Sequence, residues 1–337
     1  MTTPVRVGIN GFGRIGRCLF KHLLQRGATV AGINDLADLG DLAYLLKYDS
    51  VHGWWDHRVS VTDHELVVDG TKIPFFSSKD PAALPWGSSG ADVVMECSGA
   101  FRKRADAAKH LAGGAKKVVI SAPADDPDGT FVLGVNGHTY DPAKHHVVSM
   151  ASCTTNSLAP VAKVLHETFG VEHLMITTVH AYTSSQSLMD APTRKRRRGR
   201  SAALSIVPTS TGAAKATALV IPELKGKMDG MALRVPVPDG SITDIVATLK
   251  KDVTPESINA ALEAAAASPA LKGILRVADE ALVSRDILGD SHSAIVDKES
   301  TMVLDKRVAK ILVWYDNEWG YAARLADFAA FLAAKGY

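Results

Sequence analysis

A chain of 337 residues carries 38 Lys and Arg against 36 Asp and Glu, with 46% hydrophobic and 22% charged residues. That balance excludes an extended disordered protein, collagen and a coiled coil, and at roughly 100–200 residues per domain it points to two or three domains. Three cysteines without a Cys-x-x-Cys pair exclude a disulfide framework and give no zinc signature, and no apolar run approaches the roughly 20 residues of a membrane span. The start, Met1-Thr2-Thr3-Pro4-Val5-Arg6, has no apolar signal core, so a reducing, cytoplasmic setting away from membranes is expected.

In chain order, the first half alternates short β-branched runs with helical stretches. Residues 5–10 read as a buried strand, 15–26 as a helix ending before Gly27, and Thr29–Asn34 as the next strand. Residues 92–97 and 117–121 read as further buried strands, with a helix over 103–112 between them. This alternation predicts a parallel sheet covered on both faces, an α/β unit. The second half changes character. Residues 174–182, 230–249 and 308–315 read as long strands with few helices between them, which predicts an α+β unit with a mostly antiparallel sheet. Pro255–Ala267 fits a helix, and 322–335 a closing amphipathic helix with Leu325, Phe328, Ala329 and Leu332 on one face. The boundary is expected near 149–152: one domain over 1–152, closed by a C-terminal helix over 317–337, and a catalytic domain over 153–316.

Gly11-Phe12-Gly13-Arg14-Ile15-Gly16 matches G-x-G-x-x-G between the first strand and the first helix. In that context Gly11 permits the tight turn, Gly13 lets backbone approach a pyrophosphate, and Gly16 brings the helix close to the sheet. The helix N-terminus supplies N–H groups and positive potential. Asp35 ends the second strand, about 20 residues on, where a carboxylate accepts from ribose hydroxyls and repels a 2′-phosphate. A Rossmann domain binding NAD is the expectation.

Ser152-Cys153-Thr154-Thr155-Asn156 precedes a helical pattern, so Cys153 stands at a helix N-terminus. The helix field and a neighbouring protonated histidine predict a thiolate, with its pKa drawn down into the range of about 3.5–7.5. A thiolate adds to a carbonyl carbon. His180 ends a strand-like run, where it can take a proton and orient an oxyanion. Cys18 and Cys97 read as buried structural cysteines, and no metal site is expected.

Residues 10–17, 151–156, 178–183, 208–215 and 314–321 together resemble the glyceraldehyde-3-phosphate dehydrogenase family, in the family's order and over almost the whole chain. The resemblance implies oxidation of glyceraldehyde 3-phosphate by NAD with inorganic phosphate, through a Cys153 hemithioacetal and thioester with His180 as base, in a homotetramer. Thr183 and Arg200 match the family's site for the substrate phosphate. Ser152, Thr154, Thr211, Gly212 and Arg234 match its site for the attacking phosphate. Asn317 matches the residue that fixes the nicotinamide amide; Ser98, Ser121 and Tyr321 match positions near the cofactor. Ser157 replaces a second cysteine common in the family, and Ala191-Pro192 is mixed between NAD and NADP types.

Three other readings are open, one of them a regulatory scaffold that uses the dinucleotide domain as a redox sensor. A relative acting on erythrose 4-phosphate would share the scaffold. The run Arg194-Lys195-Arg196-Arg197-Arg198-Gly199-Arg200 holds six positive charges of a chain whose net charge is +2, so it is a local basic segment on an otherwise mildly acidic protein. Without interleaved aromatics it offers charge contact but no stacking, and a solvated loop is favoured over nucleic-acid binding.

Overall fold

The computed structural model describes residues 5–337; the N-terminal reading at Met1–Pro4 lies outside them. The chain divides into two units, one of Met1–Phe131, His138–Ala151 and Ala322–Tyr337, the other of Val132–Gly137 and Ser152–Tyr321.

The first unit is built on a nine-stranded sheet. Its strands are β1 (Arg6–Asn10), β2 (Thr29–Asn34), β3 (Val59–Val61), β4 (Glu65–Val68), β5 (Thr71–Phe76), β6 (Val93–Glu96), β7 (Lys117–Ile120), β8 (Gly129–Thr130) and β9 (Val147–Ser149). Across the sheet they run β8-β9-β7-β6-β1-β2-β5-β4-β3. β1 lies between β2 and β6 and is parallel to both, with Ile9 opposite Ile33 on one side and Met95 on the other. The core strands are apolar and almost wholly buried because both faces of a parallel sheet are covered. Helix α1 (Arg14–Gln25) follows β1 and buries Cys18, Leu19 and Leu23. The chain leaves β1 toward β2 and later returns on its other side as β6, so the crevice beyond these strand ends is a topological switch point. The hairpin of β3, β4 and β5, antiparallel within itself, was not visible in the sequence pattern. The expected helix over 103–112 is two short turns, Arg104–Ala107 and Lys109–Ala112.

The second unit carries a seven-stranded sheet, ordered β11-β12-β10-β13-β16-β15-β14. In chain order it contains α2 (Cys153–Phe169), β10 (Val171–Ala181), β11 (Val207–Ser210), α3 (Ala213–Val220), β12 (Met228–Val235), β13 (Ser241–Leu249), α4 (Pro255–Ala267), β14 (Leu275–Ala278), β15 (Ala294–Leu304) and β16 (Val308–Tyr315). Four of its six pairings are antiparallel; β10–β12 and β14–β15 are parallel. The single strand expected over 230–249 is two strands, with β10 between them. Pro236 and Pro238 lack donors for a ladder, and Gly240 at φ 83° turns the chain. Apolar side chains of α2 and α4 pack into one core with the sheet: Leu158, Val161 and Leu165 from α2, Ile258 and Leu262 from α4, and Ile245 and Ile311 from the strands. The helix expected over Pro255–Ala267 is α4; Pro255 opens it, and the Thr254 side chain caps it.

Helix α5 (Trp319–Lys335) closes the chain. Within the first unit its Leu325, Phe328, Ala329 and Leu332 are fully buried, and Phe328 stacks on Phe131 at 5.8 Å. Among the described residues, no helix is long and apolar enough to cross a membrane.

Candidate active site

The first unit has a cavity of about 500 Å³ at the switch point, lined among others by Asn10, Gly11, Gly13, Asn34, Asp35 and Ser98. Gly11 sits at φ 93°, and a Cβ there would stand 2.5 Å from the Ser98 backbone. A Cβ on Gly16 would meet the Gly11 carbonyl at 2.1 Å, whereas one on Gly13 would meet nothing within 4 Å. Gly11 and Gly16 therefore let strand, turn and helix close up, and Gly13 faces open space. Gly13 is also the N-cap of α1, and no side chain caps that end. A pyrophosphate fits both observations. Asp35 is a fixed carboxylate: its Oδ2 accepts from Phe12 N–H at 2.6 Å, and its Oδ1 from Leu36 and Ala37 N–H. The other fingerprint side chains turn away from a ligand role. The Phe12 ring is buried against Phe20, Arg14 pairs with Asp49, and Ile15 is half-buried. Ser121 donates its hydroxyl to the Glu96 carbonyl, and Tyr321 is buried in the first turn of α5.

The second unit gathers a reactive cluster. Ser152 is the N-cap of α2, its Oγ accepting from Thr155 N–H at 3.1 Å, which puts Cys153 at the first helical position. Cys153 Sγ lies 3.5 Å from His180 Nε2. His180 is near the end of β10, and the parallel register sets it opposite Arg234 on β12. His180 Nδ1 is 2.7 Å from the Ala181 carbonyl, and Arg234 Nη1 reaches the same oxygen at 2.8 Å. Arg234 Nη1 also stands 3.0 Å from Nδ1, but it donates to the carbonyl; the shorter Nδ1 contact is to that carbonyl, which only accepts, and this assigns the proton to Nδ1 and leaves the Nε2 lone pair toward the sulfur. Below them Tyr315 Oη bridges Thr154 Oγ1 at 2.9 Å and Thr178 Oγ1 at 2.8 Å. Burial pushes the Tyr315 phenol up, so it stays neutral.

The electrostatics correct one expectation. Burial pushes the Cys153 thiol up to about 11, against the smaller opposing pull of Arg234 and of hydrogen bonds from Thr154. Burial, and next the Arg234 charge, push His180 down to about 3. The sequence predicted a standing thiolate beside a charged imidazole. In this site neither group charges alone, because each would be a lone charge out of water. Burial thus opposes a charge on either group standing alone, and Nε2 faces the thiol as a base.

The arginines also fall differently from expectation. Arg200 is exposed and paired with Asp190 at 2.8 Å, so it does not reach the cluster. Arg198, in the same basic run, turns inward: its Nε donates to Thr209 Oγ1 at 3.0 Å and its Nη1 to Ser185 Oγ at 3.1 Å. Its charge reaches both His180 and Arg234. Arg234 in turn reaches Thr183 Oγ1 at 3.4 Å. The structure thus groups Thr183 with Arg234, not with Arg200. Ser152, Thr154 and Thr211 have local partners. Thr154 is buried with its hydroxyl on Tyr315. Thr211 Oγ1 accepts from Ala213 N–H at 3.2 Å, and Gly212 is the N-cap of α3. Asn317 Oδ1 accepts from the Ser241 hydroxyl.

Sequence reasoning missed Glu96, which is fully buried at the end of β6 and lies under the cavity wall. Its carboxylate accepts from Asn10 Nδ2, Ser98 N–H and Ser98 Oγ–H. His110 Nε2 is 3.1 Å away, and Trp86 Nε1–H donates to His110 Nδ1 at 3.0 Å. An acid ending an apolar strand was the available signal.

Comparison with known proteins is consistent in both halves. A family model described as "Glyceraldehyde 3-phosphate dehydrogenase, NAD binding domain" matches residues 5–104, and one described as "Glyceraldehyde 3-phosphate dehydrogenase, C-terminal domain" matches residues 152–317. The chain is 57% identical to "Glyceraldehyde-3-phosphate dehydrogenase" of Geobacillus stearothermophilus, covering 98% of this chain and 99% of the relative. It is 55% identical to the protein of that name from Streptomyces coelicolor, covering 97% and 98%. It is 54% identical to "Glyceraldehyde-3-phosphate dehydrogenase 1" of Bacillus subtilis, covering 98% and 99%.

Proposed function

The chain belongs to the glyceraldehyde-3-phosphate dehydrogenase family, and on that premise we propose how its residues divide the work of NAD-dependent, phosphorylating oxidation of glyceraldehyde 3-phosphate. The observation that carries the proposal is the 3.5 Å approach of Cys153 Sγ to the lone pair of His180 Nε2. Sulfur attacks the aldehyde carbon as Nε2 takes the thiol proton, then returns it to the new oxygen, giving a hemithioacetal. Oxidation of that carbon to the thioester releases the hydroxyl proton, again to Nε2. NAD, when bound, supplies the two-electron acceptor for this oxidation. Phosphate attack breaks the C–S bond, and His180 returns a proton to the leaving sulfur. The backbone N–H of Cys153 and His180 Nε2–H, once it holds the thiol proton, steady the oxyanion.

Gly11, Gly13, Gly16 and Asp35 hold the dinucleotide in this proposal, with Asp35 taking the adenosine ribose hydroxyls, and Ser98 lines the same pocket. Asn317 holds the nicotinamide carboxamide. Thr183 and Arg234 take the substrate phosphate; Arg198, with Ser152, Thr211 and Gly212, takes the attacking phosphate. Arginine suits both tasks because its planar fork meets phosphate oxygens in pairs. We also infer a cytoplasmic homotetramer. Exposed Met175, Met231 and Val246 on one face of the second sheet support it, since a second copy would cover them.

The test is to mix protein, aldehyde and NAD without phosphate and measure intact mass. A covalent acyl adduct on Cys153, discharged by phosphate, is expected. Turnover with no adduct, or an adduct in Cys153→Ser, overturns the scheme.

A further inference from the structure

Ser241 opens β13 and is fully buried. The antiparallel register sets it opposite Tyr315, two residues before Asn317. Its Oγ accepts from Ala181 N–H at 3.1 Å and donates to Asn317 Oδ1. A hydroxyl has one proton. One lone pair takes the Ala181 N–H and the proton goes to Asn317 Oδ1, so the amide oxygen is the end that faces Ser241. Oδ1 points inward, and Nδ2 with its two hydrogens points the other way. The peptide of Asn317 is held as well: its N–H donates to Asp239 Oδ1 at 3.2 Å, an oxygen that also accepts Gly240 N–H at 2.9 Å. Residues 239–241 thus bracket Asn317 by backbone and by side chain. Ala181, whose N–H donates to Ser241, offers its own carbonyl, in the next peptide unit, to His180 Nδ1 and Arg234.

We propose that Ser241 is a positioning residue for hydride transfer: its hydroxyl sets the Asn317 amide as a donor and ties it to Ala181, the residue whose carbonyl orients His180. This rests on the reading of Asn317 as holder of the nicotinamide carboxamide. With Oδ1 turned to Ser241, the end of the amide left for a ligand is Nδ2, a donor, and the fitting partner is the carboxamide oxygen of the cofactor. Without the Ser241 hydroxyl, the amide presents either end. The ring is then no longer fixed in one orientation, and the acceptor carbon leaves the line of transfer.

The experiment uses the assembled enzyme with C1-deuterated glyceraldehyde 3-phosphate, NAD and phosphate. It measures steady-state rates and, by proton NMR of the reduced cofactor, the face that received deuterium. The facial ratio does not depend on how much of a variant folds. Ser241→Ala should lower kcat roughly ten- to a hundredfold, leave the KM for aldehyde within about twofold, and place deuterium on both faces. Ser241→Thr, which keeps the hydroxyl, should restore single-face transfer. Because Ser241 acts through Asn317, the double variant Ser241→Ala/Asn317→Ala should be no slower than Asn317→Ala alone. Single-face transfer at the wild-type rate in Ser241→Ala, with Asn317→Ala impaired, overturns the role of Ser241. Losses that multiply in the double variant overturn it too. Wild-type rate and selectivity in Asn317→Ala overturn the reading of Asn317 itself, and the role of Ser241 with it.

Discussion

The switch-point cavity and the cysteine cluster are made of different materials. The cavity is shaped by main chain: a turn that only glycine can make at Gly11, an uncapped helix end at Gly13, and one carboxylate, Asp35, tied down by three backbone N–H groups. The cluster is shaped by side chains whose charge is held in check. Burial opposes a charge on Cys153 and on His180, beside a guanidinium that burial also opposes. A cradle of backbone binds a dinucleotide by form and fixed dipoles, so it is broken by volume. A cluster of suppressed charges works by moving one proton, so it is broken by removing either end of the transfer.

That contrast sets an order of effects. Cys153→Ser should abolish turnover, by roughly 10⁴-fold or more in kcat, while the NAD dissociation constant measured by fluorescence titration stays within about twofold. Loss of NAD affinity there would mean the two regions are not separable. His180→Asn should cost about 10²- to 10⁴-fold in kcat and slow alkylation of Cys153 at neutral pH, because the sulfur loses its proton acceptor. His180 also links to stability. Its folded pKa lies below the roughly 6.5 of an exposed imidazole, so its contribution is intact above 6.5 and fades as pH falls toward about 3. Thermal melts of His180→Asn across that window should therefore fall less steeply than wild type. Gly11→Ala should do the reverse of the cysteine change. It should raise the KM for NAD roughly ten- to a hundredfold through about 1–3 kcal/mol of forced backbone strain, with kcat at saturating NAD nearly preserved. The smallest and sharpest comparison lies within the basic run. Arg198→Ala should raise the KM for phosphate about tenfold or more, for the loss of charged hydrogen bonds. Arg200→Ala, which breaks only an exposed pair, should change it less than about twofold. Equal effects would mean that the inward turn of Arg198 has no functional weight.

Legibility in the sequence followed locality. The turn at Gly11–Gly16, the cap at Ser152 and the helix Pro255–Ala267 are written in neighbouring residues, and their shapes follow from them. The split of 230–249 was legible too, in Pro236, Pro238 and Gly240, had the donors been counted. Other features depend on distant partners. Which arginine of residues 194–200 turns inward depends on Asp190 and Thr209 as anchors, and six cations in seven positions look alike to spacing. The protonation of Cys153 depends on burial, which a helix N-terminus does not reveal. Glu96 owes its place to donors from Asn10 and Ser98 and a contact with His110, joined only when β1 and β6 pair.

Arg234 stands 3.0 Å from His180 Nδ1 and helps keep that ring uncharged. A doubly charged phosphate shared with this arginine would cancel much of its field at the ring. The histidine would then accept a proton more readily at the moment a phosphorylated aldehyde arrives. The substrate's remote end becomes part of the acid–base apparatus, a key that also adjusts the lock. Plain glyceraldehyde should consequently react slowly even at saturation, with its deficit in kcat as well as in binding.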